Sequence, residues 1–165
     1  MPARTVVIAD AGPLIALSRV ARLSILKGLF DEVWITPEIR DEVLPSRSFP
    51  GQSEIADAIA SGWIRVEAAT GSDPPLLNPG VDRGEASALV LAASRPGSLI
   101  VMDDRAGRAE AKSRGLAVIG TATVVGLARE RGLVESARAT LTAMAEAGYF
   151  IPDTVIEAVA RRVDR

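Results

Sequence analysis

The chain has 165 residues, 48% of them hydrophobic and only 4% aromatic, and its formal net charge is −2. That length suits one domain with a continuous core, and the charge gives no global attraction to nucleic acid. With no His and no Cys, imidazole bases, thiolate nucleophiles, disulfides and soft metal sites are all excluded, which leaves carboxylates and a hard cation such as Mg2+ or Mn2+ for any hydrolytic chemistry.

Met1-Pro2-Ala3-Arg4 leads straight into an apolar run instead of a signal-peptide core. No apolar stretch is long enough to cross a bilayer, so the chain reads as cytoplasmic. A strand at 5–9 is followed by a helix opened by Gly12-Pro13, with the proline at a tolerated first-turn position. A second apolar helix is expected at about 20–29, then a strand at 32–35. Thr36-Pro37 supplies a cap and a first-turn proline for a helix running to Leu44. Residues 53–60 read as helix and 63–66 as strand. Segment 71–80, with three prolines and two glycines, reads as a loop and a candidate mobile flap.

Asp82-Arg83-Gly84-Glu85 opens a helix that stops before Pro96-Gly97. A strand at 98–102, a helix at 105–114, a strand at 116–119 and a Thr121-capped helix to about Arg131 complete an alternating series. The tail differs: helices at about 134–147 and 153–163 form a hairpin extension over 132–165. Alternating strands and helices imply one α/β domain over 1–165, with a parallel sheet covered on both faces. If the first strand is central, the chain builds outward on one side and jumps back for the fourth strand. A crevice then opens between Asp10 and the pair Asp103-Asp104, at the carboxyl ends of the strands where ligands bind in such sheets.

Four acidic positions stand out. Asp10 ends the first strand and could simply cap the next helix. Asp103-Asp104 ends the fourth, but one cap needs only one acid. Among the acids of the third helix, about 100° per residue puts Glu42 roughly 80° from the centre of the buried face, Glu38 roughly 120° and Asp41 roughly 180°. Glu42 therefore ranks nearest the interior. Glu85 fits a capping box with Asp82, a role that does not prevent it from facing a cation. Three or four converging carboxylates repel one another without a cation, so together the acids imply a metal, and a metal-bound water is a natural nucleophile for a phosphodiester.

Residues 6–17, 36–43, 84–92 and 100–108, with Gly120-Thr121 and the closing 148–152, resemble the PIN-domain nucleases, specifically the small branch of VapC-type toxins. The resemblance implies a three-layer α/β/α fold with a five-stranded parallel sheet in order 3-2-1-4-5. It implies that Asp10, Glu42, Glu85 and Asp104 are metal-binding and catalytic, with Asp103 as an alternative or additional ligand. It further implies an Mg2+- or Mn2+-dependent endoribonuclease that forms a homodimer and pairs with a small antitoxin. Two positions depart from the family pattern: Ala11-Gly12 stands where many relatives carry Ser or Thr, and Glu85 where Asp is more usual.

Arg105, Arg108 and Lys112 recur at three- and four-residue intervals and could meet RNA phosphates along one helix face, although a solvated face is the simpler reading. A phosphotransfer receiver would need an acid pair after the first strand, and a haloacid-dehalogenase-like phosphatase a second Asp at position 12, which is Gly. No glycine-rich phosphate loop is present. The remaining alternative is a PIN-like module with weak or absent catalysis that binds RNA or protein.

Overall fold

The computed structural model describes residues 4–69 and 78–165. The expected flap at 71–80 therefore lies, apart from its last three residues, outside the described residues. Within them, five strands form one parallel sheet in the order β3-β2-β1-β4-β5, as expected for the three-layer α/β/α fold.

β1 (Val6–Ala9) is the central strand. Its four side chains are buried on both faces, which is why the run VVIA is continuous instead of alternating. β2 (Glu32–Ile35) pairs with one edge of β1 through Val7 and Val33, and β4 (Leu99–Val101) pairs with the other through Val7 and Leu99. β3 (Ile64–Val66) and β5 (Ala117–Ile119) close the two edges.

On the β1–β3 half, α1 (Ala11–Arg19) follows β1, α2 (Ser24–Leu29) precedes β2, and α3 (Pro37–Val43) and α4 (Gln52–Ser61) separate β2 from β3. α5 (Arg83–Ser94) leads into β4, α6 (Arg105–Ser113) into β5, and α7 (Thr121–Glu130) leaves it. α1 packs against α3 and α4, and α3 packs against α5. α7 packs against α2 and against the closing helices α8 (Ala137–Glu146) and α9 (Asp153–Val163). The core is aliphatic: Leu14, Leu17, Leu26, Ile39, Ile55, Leu89 and Ile100 are fully buried. Among the described residues no helix is long and apolar enough to cross a membrane.

The local signals mostly act as expected. Thr36 Oγ1 accepts from the Ile39 amide at 3.2 Å, capping α3 ahead of Pro37. Three expectations need correction. The helix expected at about 20–29 begins only at Ser24, because Ala21 adopts a positive φ of 55° and turns the chain after α1. α8 starts at Ala137 behind an N-cap Ser136 whose side chain accepts from the Ala139 amide, three residues later than expected. Thr121 is not a cap: Gly120 occupies that position, and Thr121 is the first residue of α7.

The hairpin is tied at its open end by Asp164. This carboxylate accepts from the amides of Ala137 and Arg138, both at 2.8 Å, and from the Ser136 hydroxyl at 3.1 Å. A negative group thus sits on the N-terminus of α8, where backbone donors lack helical partners.

Candidate functional site

Strand order reverses beside β1, with β2 on one edge and β4 on the other. The ladder runs one residue past the strands: the Asp10 amide donates to Val101 O at 2.9 Å and the Met102 amide to Ile119 O at 2.9 Å. Asp10 and Asp103 therefore leave neighbouring strand ends on either side of the crevice.

Asp10 stands at the N-cap of α1, yet its side chain makes no cap hydrogen bond. It is only 8% exposed. Burial pushes its carboxyl up to about 7; the Ala11 amide opposes this, and the charges of Asp82, Glu42 and Asp103 push it further up. The capping explanation for Asp10 thus fails, while three other acids act on it.

Asp82 and Glu85 form the expected capping box at the start of α5. Asp82 Oδ1 accepts from the Glu85 amide at 2.8 Å and Glu85 Oε2 from the Asp82 amide at 3.3 Å. Glu85 is nevertheless buried. Burial, then the neighbouring Asp82 and the charge of Asp104, raise its carboxyl to about 8. Each capping bond engages one carboxylate oxygen.

Glu42 corrects the helical-angle ranking: it is exposed, whereas Glu38 is half-buried. Its carboxylate nonetheless reaches across from α3 to α5, where a Cβ added at Gly84 would collide with Glu42 Oε1. Partial burial and the charge of Asp82 raise its pKa. Asp82 is thus the common neighbour of Asp10, Glu42 and Glu85. Sequence reasoning saw Asp82 only as a helix cap; its place at a helix start facing the strand ends was the available signal.

The two acids after β4 divide their tasks. Asp104 caps α6, its Oδ2 accepting from the Gly107 amide at 3.0 Å. Asp103 accepts from the Thr121 amide at 2.8 Å, the Thr121 hydroxyl at 2.6 Å and the Tyr149 hydroxyl. Tyr149 ionises above the usual tyrosine range because it is buried and lies beside the Asp103 charge. Neither Thr121 nor Tyr149 was legible as a partner of Asp103 from spacing along the chain.

Arg105, Arg108 and Lys112 do line one concavity, together with Asp103 and Ala109. Arg105 and Lys112 are exposed. Arg108 is half-buried and donates from Nη1 to Met102 O at 3.1 Å, so it braces the end of β4.

Among the described residues, no three acids stand close enough together to enclose one cation. Asp82, Glu85, Asp103 and Asp104 are each drawn to a backbone or hydroxyl donor. The donor set still fits a hard divalent ion. Every candidate ligand is a carboxylate, and two of them, Asp10 and Glu85, are buried among like charges, an arrangement that a cation relieves.

Fold and site together define a doubly wound α/β protein with an acidic crevice at its switch point. A family model described as a PIN domain matches residues 6–165, and the chain belongs to the PIN-domain family. PIN domains are generally nucleases, so this is a nuclease fold. No curated protein matches the chain.

Proposed function

We propose that the chain is a cytoplasmic, metal-dependent endoribonuclease, a single PIN domain acting as the toxin of a type II toxin–antitoxin pair, with a small antitoxin protein and a second copy of itself as partners. The observation that carries the catalytic part of this reading is that Asp10 and Glu85 are buried among like charges: Asp82 acts on both, Glu42 and Asp103 on Asp10, and Asp104 on Glu85. Membership of the PIN-domain family supports a nucleic-acid substrate. Resemblance to the VapC branch favours RNA, the antitoxin and the dimer.

Asp10, Glu42, Glu85 and Asp104 are the proposed ligands, with Asp103 as an additional one. Bound Mg2+ or Mn2+ supplies water activation and neutralises charge on the phosphodiester. The chain's own contribution is to gather the acids: Asp10 from the end of β1, Glu42 across α5, Glu85 from the first turn of α5, and Asp104 from the start of α6. Asp82 adds negative charge beside three of them. Arg105 and Lys112, on the rim beside Asp103, supply exposed cations for the phosphates that flank the cleavage point.

Incubating a mixed pool of structured RNA with Mg2+ or Mn2+ tests the activity, with Asp10→Asn as the comparison. Cleavage by the wild-type chain that the variant loses is expected. Equal cleavage by both, or none by either at high protein concentration, refutes the nuclease reading.

A further inference from the structure

The hairpin of α8 and α9 reaches the acidic crevice through Tyr149. Tyr149, in the connecting loop, donates its hydroxyl to Asp103 Oδ2 across 46 residues of sequence. The same hydroxyl lies over Gly12 in the first turn of α1, where an added Cβ would stand 3.3 Å from the phenolic oxygen. That separation is tighter than ordinary van der Waals contact, so a side chain at position 12 would press on the tyrosine. Asp103 is held from the other side by the Thr121 amide on Oδ1 and the Thr121 hydroxyl on Oδ2. Three donors from two separate parts of the chain therefore fix the rotamer of one carboxylate at the end of β4.

The phenol ring and the hydroxyl have separable consequences. Packing over Gly12 needs only the ring, whereas holding Asp103 needs the hydroxyl. Resting on the metal-centre reading above, we propose that Tyr149 is a positioning residue for that centre: its hydroxyl, lying over Gly12, holds the Asp103 carboxylate in the crevice between β1 and β4 and so couples the C-terminal hairpin to cation binding. Gly12 and Tyr149 are then a matched pair: the glycine leaves the room that the phenol oxygen takes up on its way to Asp103. Partners that orient ligand groups in this way commonly account for ten- to a hundredfold in metal affinity, although they never touch the ion.

The test is Mn2+ affinity of the full chain by isothermal titration calorimetry, at a temperature where every variant is folded, with the metal-free Tm measured alongside. The set is wild type, Asp10→Asn, Tyr149→Phe, Gly12→Ser and the double variant Gly12→Ser/Tyr149→Phe. Tyr149→Phe is expected to weaken Mn2+ binding about tenfold or more at a temperature where its metal-free form is fully folded, with a modest fall in metal-free Tm from the lost hydrogen bond. Gly12→Ser is expected to weaken binding by crowding the tyrosine. The double variant should bind more tightly than the product of the two single effects, because removing the phenol oxygen makes room for the serine hydroxyl beside Asp103. Wild-type affinity in Tyr149→Phe, or strictly multiplicative effects in the double variant, overturns the proposal. A wild-type chain that binds no Mn2+, or an Asp10→Asn chain that binds it equally well, overturns the metal-centre reading and this proposal with it.

Discussion

The Glu42 carboxylate occupies the space in which a side chain on Gly84 would begin: a Cβ added there would collide with Glu42 Oε1. Gly84 lies in the first turn of α5 and Glu42 in the last turn of α3, so this close approach joins two elements that bring acids to the crevice.

Gly84→Ala should therefore separate stability from function. The clash falls on the end of a flexible side chain, so Glu42 moves and the backbone does not. Alanine also favours the helix by roughly 0.5–1 kcal/mol. The expected result is a Tm at or above wild type with Mn2+ affinity lowered about tenfold. Unchanged affinity would show that the place of Glu42 does not depend on the glycine, and a large fall in Tm would show that its side chain does not move aside.

Asp10 predicts a pH dependence for the metal-free chain. Its folded carboxyl keeps its proton up to about pH 7, whereas an ordinary aspartic acid releases it near 3.8. Between those values the folded state binds more protons than the unfolded state, so stability is greatest at the acidic end and declines as pH rises. The decline from this group is on the order of 4 kcal/mol at most. Glu85, raised to about 8, acts in the same direction over a slightly higher range. Denaturant melts in EDTA across this window should show the fall, and Asp10→Asn should flatten it. An equally steep slope in the variant contradicts the assignment.

Arg108 and Lys112 lie in the same concavity but should behave differently. Arg108 donates to Met102 O at 3.1 Å, so Arg108→Ala should cost about 1–2 kcal/mol of stability by leaving that carbonyl without its partner. Lys112 is exposed. Lys112→Ala should leave Tm nearly unchanged, weaken RNA binding, and lower the salt dependence of that binding by about one unit of slope. Filter binding at several salt concentrations, with melts alongside, distinguishes the two roles.

Much of the fold was legible because its signals are local. The fully apolar run at Val6–Ala9 marks a strand buried on both faces, Thr36-Pro37 marks the start of α3, and the Asp82 and Glu85 spacing marks a capping box; each acts within a few residues. The turn at Ala21 was not legible, since alanine carries no preference for a positive φ. At the site, Asp10 could be singled out by its position after a strand and Glu85 by its position in the first turn of a helix. The tasks of Asp103 and Asp104 could not be separated, because either residue fits the cap of α6. Only the remote Thr121 and Tyr149 distinguish them. Glu42 was reached by helical angle, but its carboxylate is placed by an absent side chain on another helix, which periodicity within α3 does not register.

Asp164 predicts how firmly the hairpin is fastened. Its carboxylate accepts from two α8 amides and the Ser136 hydroxyl, and it pairs with Arg129 of α7 at 3.4 Å. Asp164→Ala should destabilise the chain by about 1–2 kcal/mol, read as a lower denaturant midpoint with an unchanged m-value. A midpoint equal to wild type would mean that the apolar contacts of α8 and α9 suffice to hold the hairpin.

The central claim is that these carboxylates converge on a divalent cation. It is tested most directly by anomalous X-ray diffraction from crystals of the full chain grown with Mn2+. The expected map has an anomalous peak in the crevice between β1 and β4, with Asp10 and at least one of Glu85 and Asp104 as direct ligands. A crevice without a peak at saturating Mn2+, or Mn2+ bound only away from Asp10, would contradict it.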